Sequence, residues 1–243
     1  LVIALSGGPD SAATAVLARE AGMALRAIHV DHRLPGSPKM RAAATAIASK
    51  LGIELETIEV DPAGTTETAL REARYAALLT HIAPGETIVT GHTSDDQAET
   101  VLHRVLRGTG LSGLAGIPPT RRLSEMTTIV RPMLSVNRPT VLEYLGQLDQ
   151  PFQEDSTNES LMFTRNRIRH QLLPMLEQQY NPQVIASLLR LGSLAGEAQE
   201  VFAAAVEPLL EQSLSTRSPD RVVLSTAALR GQSAFLVREL LVG

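Results

Sequence analysis

The stretch ALSGGPDSAATAVLAREAG (residues 4–22) decides the fold class, because it joins an apolar run to an alanine-rich helix through two adjacent glycines. Glycines at this point allow a sharp bend or the close approach of a ligand to the backbone. The proline that follows presets φ for a first helical turn, and the aspartate and serine after it are residue types found at helix starts. An ordinary strand-to-helix turn would also use the glycines, but the complete SGGPDS hexapeptide favours a phosphate site.

The composition is that of a globular chain with a sizeable core. Of its 243 residues, 44% are hydrophobic and 20% are charged, which is enough for one large domain or for a domain with a smaller partner. There is no cysteine, and no apolar run approaches the ~20 residues that a membrane span needs. We therefore expect a cytoplasmic protein without disulfides and without a membrane partner.

Short apolar strands alternate with helices in the first half of the chain. The predicted strands are 1–5, 25–30, 53–60 and 86–90, and the predicted helices are 11–20, 40–51, 67–81 and 94–107. This alternation predicts an α/β fold with a doubly wound, mostly parallel, Rossmann-like sheet. Residues 53–60 alternate apolar and acidic side chains, as a strand near the sheet edge would. Ligands of such sheets bind at the carboxyl ends of the strands, where SGGPDS lies.

The pattern changes in the second half of the chain. Residues 109–139 are rich in Gly, Pro and Arg and predict a functional loop around one strand. The further predicted elements are that strand (128–131), helices 138–148 and 165–180, the latter broken or kinked at Pro174, a long helix (197–212), a strand (222–225) and a final helix (232–242). We predict a catalytic domain over 1–185 and a smaller, mainly helical domain over 192–243, which we expect to be truncated.

The net charge of −4 hides two basic stretches. Residues 101–140 carry six arginines against Glu125 alone, and residues 161–180 carry three arginines against Glu177 alone. A local basic surface on an acidic protein is what a polyanion-binding enzyme needs. The alternative is a set of solvated loop arginines.

A second cluster of polar residues, TGHTSDDQAETVLHRVL (residues 90–106), opens a helix. Ser94 and Gln97 fit a capping box, so the helix is predicted to begin there. Three carboxylates then share its first turn and one face beside a histidine, namely Asp95, Asp96 and Glu99 with His92. Compensation of the helix dipole is the simpler explanation, but three carboxylates exceed that need. They can bind Mg²⁺ or the ammonium group of a substrate.

Five motifs occur in order along residues 1–180. After SGGPDS and the 90–106 cluster come LRGTGLSGLAGI (106–117), RPML (131–134) and DSTN with TRNRIRHQLLP (155–174). The SGGPDS loop resembles that of the N-type ATP pyrophosphatases of the PP-loop superfamily, which cleave ATP between the α and β phosphates. All five motifs together closely resemble the tRNA(Ile)-lysidine synthetase family. Two places depart from the family pattern: Thr93, where the family often has a second histidine, and RLPGSPKM (33–40), which is short.

The resemblance implies an ATP-dependent ligase that joins lysine to C2 of the wobble cytidine of tRNA(Ile). The reaction would pass through an adenylated cytidine and release pyrophosphate and AMP. Expected cofactors are ATP and Mg²⁺, and expected partners are the tRNA(Ile) anticodon region and L-lysine, while a homodimer is left open. The 192–243 segment lies where the family carries a small substrate-binding or tRNA-binding domain.

The resemblance also implies roles for individual residues. ATP is expected on Ser6, Gly7, Gly8, Pro9, Asp10, Ser11 and His32, with Asp10 also holding Mg²⁺. Catalysis is expected from Asp10, Asp96, Glu99 and Arg167, and substrate or tRNA binding from His92, Asp95, Arg107, Arg165, Asn166 and Arg169. In a helix, Arg165 and Arg169 face together while Arg167 points elsewhere. A surface histidine is the alternative at His32, and ion pairs to Asp155 or Glu159 are the alternative for the arginines.

Three other functions would use the same residues. A PP-loop tRNA thiolase usually passes sulfur through cysteine or ligates an iron–sulfur cluster with it, and this chain has no cysteine. A small-metabolite amidating ligase would form AMP without tRNA. A nucleotide-binding sensor that does no chemistry would have lost the carboxylates, whereas Asp10, Asp96 and Glu99 are all present.

Overall fold

The computed structural model describes residues 1–61, 63–64, 66–154, 161–218 and 221–242. Its strands are β1 (Val2–Ala4), β2 (Arg26–Asp31), β3 (Glu54–Glu59), β4 (Thr87–Val89), β5 (Thr120–Arg122), β6 (Thr128–Val130), β7 (Leu214–Ser218) and β8 (Arg221–Leu224). Its helices are α1 (Pro9–Glu20), α2 (Ser37–Leu51), α3 (Glu67–His81), α4 (Ser94–Leu106), α5 (Leu111–Leu114), α6 (Arg138–Gln147), α7 (Thr164–Arg167), α8 (Leu173–Gln179), α9 (Val184–Ser213), α10 (Thr226–Leu229) and α11 (Ala234–Val242). A π-helical segment, Ile168–Leu172, joins α7 to α8.

A six-stranded sheet in the order β3-β2-β1-β4-β6-β5 lies at the centre of the fold. All of its pairings are parallel except that of β5 with β6. Successive residues of the central strand β1 point to opposite faces, so Val2 packs with α3 while Ile3 packs with α1, α2 and α6. Both faces are therefore covered by helices, which confirms the predicted doubly wound sheet.

The two outer strands show where sequence patterning works and where it fails. Strand β3 occupies one edge of the sheet, as its alternating acidic and apolar residues predict. Strand β5 at the other edge was not predicted, because its residues Thr120–Arg122 are all exposed and carry no apolar periodicity. It forms by antiparallel pairing with β6 alone.

The α-helix predicted over 165–180 is interrupted before Pro174 by the π-helical segment, in agreement with the expected break. That proline lies in the first turn of α8, where its missing N–H and its ring disturb the turn before it. The preceding turn is the π-helical segment, and both it and α7 pack against α4. The interruption therefore lies in the arginine-bearing turns that contact α4.

Helix α9 is longer than the predicted helix 197–212 and runs through residues 186–191, the interval between the two predicted domains. Its first half packs on α4 and α5, and a Cβ at Gly192 would lie 3.3 Å from Val101 Cγ2. The division into a 1–185 and a 192–243 domain stays a prediction. The hairpin of β7 and β8 contains one strand, β7, that the sequence did not predict. Among the described residues, no helix is long and apolar enough to cross a membrane.

Candidate active site

A cleft of about 420 Å³ opens at the carboxyl ends of β1, β2 and β4. The residues that follow these three strands line it together with the start of α1, one face of α3 and the α7 region. This is the edge of a parallel sheet at which ligands are expected. The predicted residues that line it are Ser6, Gly8, Pro9, Asp10, Ser11, His32, His92, Asp96, Arg165, Asn166 and Arg169.

The SGGPDS loop is closed by its own hydrogen bonds. The Gly8 N–H donates to Ser6 Oγ (3.3 Å), and the Ser11 hydroxyl donates to the Gly8 carbonyl (2.9 Å). The Gln153 N–H donates to the Gly7 carbonyl (2.9 Å), which fixes the loop from outside. Gly8 begins α1 without a side-chain cap, so the positive end of α1 faces the cleft at a place suited to an anion.

Two glycines allow neighbouring backbone segments to pack closely against this loop. Gly7 has φ +93°, and a Cβ on it would lie 2.4 Å from the Met40 carbonyl oxygen of α2. A Cβ on Gly91, which follows β4, would lie 2.3 Å from the Asp10 carbonyl oxygen. The SGGPDS motif points to Gly7, whereas no motif points to Gly91, because only the folded sheet brings residue 91 against α1. Glycine is required at both positions by backbone approach.

The two carboxylate oxygens of Asp10 have different surroundings. Its Oδ2 accepts a hydrogen bond from Arg138 Nη1 (3.3 Å), whereas its Oδ1 is buried without a partner among the described residues. Burial raises the pKa of Asp10 to about 6, and Arg138 opposes that rise. Arg138 was not predicted as a site residue, and its pairing with Asp10 spans 128 positions of sequence.

The pH dependence of stability should change when Asp10 is replaced by asparagine. The folded protein holds the Asp10 proton up to a pKa of about 6, whereas an unfolded chain releases it near 3.8, so this residue lowers stability as pH rises through that window. We expect Asp10→Asn to gain up to about 3 kcal/mol relative to wild type between pH 4 and pH 7. Urea denaturation at both pH values measures this.

His92 has the opposite effect on the pH dependence of stability, because burial lowers its pKa to about 4. Wild type and Asp10→Asn both contain His92, so this effect cancels when their unfolding free energies are subtracted. Asp61→Asn is the matched control, since the Asp61 side chain is 79% exposed. Parallel curves for wild type and Asp10→Asn would contradict a raised pKa of Asp10 in the folded protein.

Asp96 and Glu99 are paired with two arginines. Arg165 donates from Nε to Glu99 Oε2 (2.9 Å) and from Nη2 to Asp96 Oδ1 (2.9 Å). Arg169 donates from Nη2 to Glu99 Oε2 (2.9 Å) and to Asp96 Oδ1 (3.2 Å), and its Nε contacts Glu99 Oε1. Glu67 of α3 adds a third carboxylate 3.3 Å from Arg165 Nη1. We call these five residues the arginine–carboxylate cluster.

The cluster keeps Asp96 and Arg165 charged. Burial alone would raise the pKa of Asp96, but Arg165 and the Thr93 N–H hold it below its usual range. Burial would lower the pKa of Arg165, but Asp96 and Glu99 raise it instead. The two carboxylates are therefore occupied by arginine and are not free to receive an ammonium group without competition.

The predicted capping box of α4 was placed one residue too late. Thr93, not Ser94, is the N-cap, and the Asp96 N–H donates to Thr93 Oγ1 (3.5 Å). Asp96 Oδ2 returns the interaction by accepting the Thr93 N–H (2.9 Å). The first turn consequently holds Asp95 and Asp96, while Glu99 lies one turn further along. Thr93, where the family often has histidine, thus has a structural role that fixes Asp96.

Five predicted site residues are not part of the cleft wall, namely Gly7, whose backbone lies against α2, and Asp95, Glu99, Arg107 and Arg167. Glu99 is 1% exposed and touches the cleft only through its arginines, and Asp95 accepts the backbone N–H of Arg138 (2.8 Å). Arg167 is exposed and donates to Thr164 Oγ1 (2.9 Å), while Arg107 is exposed at the end of α4. This arrangement confirms that Arg165 and Arg169 share a face that Arg167 does not. The DSTN motif, Asp155 and Glu159 lie outside the described residues.

Two histidines on the cleft wall are held neutral at pH 7 by burial, which lowers their pKa values. The His92 Nδ1 lies 2.9 Å from Thr90 Oγ1. Both ring nitrogens of His32 are buried without a hydrogen-bond partner among the residues described. His32 is therefore not the surface histidine that sequence analysis left as the alternative.

Five of the nine arginines in the two basic stretches are engaged inside the fold. Arg104 donates to the Gly113 and Gly116 carbonyls, and Arg131 is 3% exposed and donates to the Pro118 carbonyl. Arg138, Arg165 and Arg169 pair with carboxylates, as described above. The basic surface is therefore smaller than the number of arginines in the sequence suggests. The guanidinium groups of these five arginines donate to loop carbonyls or pair with carboxylates inside the fold.

Comparison with known proteins agrees with this geometry. The family described as PP-loop domain matches residues 1–176. A tRNA(Ile)-lysidine synthase of Nostoc sp. is 32% identical over 92% of this chain and 70% of its own length. The chain belongs to the tRNA(Ile)-lysidine synthase family of PP-loop proteins.

Other members of this tRNA(Ile)-lysidine synthase family are longer than the chain. The Solibacter usitatus enzyme is 36% identical over 99% of this chain, which spans 55% of the enzyme's length. The chain thus spans about half the length of several curated relatives. Among solved structures, a U34-tRNA thiolase of Methanococcus maripaludis has a TM-score of 0.64 at 18% identity, covering 80% of this chain and 72% of its own. That likeness concerns the fold alone.

Proposed function

We propose that the chain carries the catalytic part of an ATP-dependent ligase that forms lysidine. The enzyme joins the ε-amine of L-lysine to C2 of the wobble cytidine of tRNA(Ile), with AMP and pyrophosphate as products. One observation carries the proposal: the SGGPDS loop and the arginine–carboxylate cluster face the same cleft. A nucleotide held by the loop would therefore have its α-phosphate beside paired arginines.

The loop and the start of α1 support the proposed nucleotide binding. The uncapped helix start, the small glycines and the Ser6 and Ser11 hydroxyls suit the β and γ phosphates of ATP. Asp10 fits a Mg²⁺ ion, since its Oδ1 is a hard oxygen, buried and unpartnered in the described structure. No group of three metal-ligating side chains occurs among the described residues, and Mg²⁺ is commonly held by one carboxylate and substrate phosphates. When bound, the ion would neutralise charge on the phosphates.

The reaction has two displacement steps. The cytosine O2 attacks the α-phosphorus, the bond to the β-phosphate oxygen breaks, and pyrophosphate leaves. The lysine amine then attacks C2, the C2–O2 bond breaks, AMP leaves with that oxygen, and the amine loses a proton. Arg165 and Arg169 would stabilise the charge on the α-phosphate and on AMP.

The carboxylates keep these arginines in place. Glu99, beneath Arg165 and Arg169, acts as a positioning residue, and Asp96 on the cleft wall can also attract the lysine ammonium. Because the pKa of Asp96 is lowered, it is a weak base, and we assign it to binding charge more than to accepting a proton. Neutral His92 can accept a hydrogen bond from the incoming amine.

Asp96→Asn should retain ATP binding and lose lysine transfer. The amide keeps the size of the side chain but removes the charge that faces Arg165, Arg169 and the lysine ammonium, and we expect at least a hundredfold loss, about 3 kcal/mol. Radiolabelled lysine incorporation and nucleotide titration measure the two properties. Asp149→Asn is the control, because Asp149 is exposed and has φ +48°, a conformation that asparagine tolerates. Wild-type turnover of Asp96→Asn would refute the assignment.

The deciding experiment measures pyrophosphate release and labelled lysine incorporation with and without the minor isoleucine tRNA. Release that depends on this tRNA, with lysine attached to it, supports the proposal. AMP formation without tRNA would favour a small-metabolite amidating ligase, and nucleotide binding without AMP would favour a sensor. A thiolase that relays sulfur through cysteine does not fit a chain without cysteine. A cytoplasmic location and a homodimer stay predictions.

A further inference from the structure

Two arginines of α3, Arg71 and Arg74, line the cleft, and neither was predicted to belong to the site. They are three residues apart and follow Glu67 by four and seven positions, so all three lie on one face of the helix. Both arginines are exposed residues of the cleft wall, although the protein around Arg74 lowers the pKa of its guanidinium by burial. Tyr75 and Leu78, further along α3, pack against the core and fix the helix.

These arginines differ from the other arginines of the cleft in forming no ion pair with a described residue. Arg138, Arg165 and Arg169 each form an ion pair, whereas the Arg71 and Arg74 guanidinium groups form no hydrogen bond or ion pair with any residue that the structure describes. The acid on the same helix face, Glu67, already pairs with Arg165. Arg71 lies over the Tyr75 ring, with 5.6 Å from Cζ to the centroid.

Three histidines lie near the two arginines, and His32 has no hydrogen-bond partner among the described residues. Burial is the main cause that lowers the pKa of His32, and the positive charge of Arg74 adds to it. Arg74 acts in the same direction on His29, and Arg71 on His92. His32 also keeps two unpartnered ring nitrogens. This part of the cleft therefore holds two positive charges, neutral imidazoles and unused hydrogen-bond donors.

We propose that Arg71 and Arg74, together with His32, bind a phosphate group of the substrate in the cleft. Two adjacent like charges on a helix repel each other, and a phosphate dianion or diester placed between them would remove that repulsion. The phosphate can come from the nucleotide or from the RNA backbone beside the wobble position. The choice of ATP and RNA as the phosphate sources rests on the proposed function.

The test compares the double variant Arg71→Gln/Arg74→Gln with wild type in two binding assays without lysine. One assay titrates an ATP analogue with a non-cleavable link between the α and β phosphates, and the other titrates an anticodon stem-loop RNA at several salt concentrations. We expect at least a tenfold loss of affinity in one assay, and for RNA a salt slope smaller by about one or two. Arg19→Gln is the matched control, an exposed arginine in the last turn of α1 at the opposite end of that helix.

Each outcome decides the proposal. Loss in the nucleotide assay alone assigns the site to ATP, loss in the RNA assay alone assigns it to the RNA backbone, and unchanged affinity in both overturns it. Thermal unfolding checks that the variants fold, and Arg71→Lys/Arg74→Lys should restore part of the affinity by restoring the charge. Because lysine is absent, failure of the wild-type chain to transfer lysine would contradict the proposed function without affecting this result.

Discussion

Gly7→Ala is expected to abolish pyrophosphate release, with a loss of at least a hundredfold. The added Cβ would lie 2.4 Å from the Met40 carbonyl oxygen and 3.2 Å from the Ala44 nitrogen, and both are backbone atoms of α2 that cannot rotate away. The backbone at Gly7 has φ +93°, which costs an alanine further free energy. Either the loop or α2 must move, and the phosphate site changes shape in both cases. Nucleotide titration and pyrophosphate release measure the effect.

Gly85→Ala is a control that introduces backbone strain without a steric clash. Gly85 also has a positive φ, +85°, but nothing lies within 4 Å of the Cβ position. We expect this control to lose on the order of 1 kcal/mol of stability and to keep its activity. If Gly7→Ala bound nucleotide like Gly85→Ala, the loop would not be the phosphate site.

Glu99→Gln is expected to cost about 3 kcal/mol of unfolding free energy and most of the lysine transfer. The Glu99 side chain is 2% exposed and receives both Arg165 and Arg169, so the neutral amide leaves two partly buried cations with Asp96 as their main counter-charge. A glutamine also brings an N–H₂ group toward guanidinium donors, which cannot accept from it. The arginines would then leave their positions at the α-phosphate.

Glu67→Gln provides the comparison for stability. Its carboxylate pairs with the same Arg165 at 3.3 Å but is 51% exposed, so we expect a change of less than about 1 kcal/mol. Urea denaturation of both variants measures the contrast, and labelled lysine incorporation follows the activity of Glu99→Gln. Equal stability of the two variants would show that the cluster does not hold the arginines.

Much of the site could be predicted because it depends on local sequence. Helix α3 has the predicted bounds, since its apolar spacing and Thr66 cap lie within the segment itself. The common face of Arg165 and Arg169 follows from their separation by four residues, whatever they contact. Helix α4 begins at Ser94 as predicted, but its capping box was placed one residue too late, because Thr93 and Ser94 are both residue types that cap helices.

The sequence alone determined the alternation of strands and helices, the bend at SGGPDS and the edge position of β3, because these follow from local periodicity and turn residues. Only the tertiary structure decided the partners of the charged groups. The cluster joins α4 to arginines 66 to 73 positions away, and Arg138 reaches Asp10 across 128 positions. Such pairs form where the order of strands in the sheet brings distant segments together. The spacing of residues along the chain does not determine that order, so these ion pairs could not be predicted from the sequence.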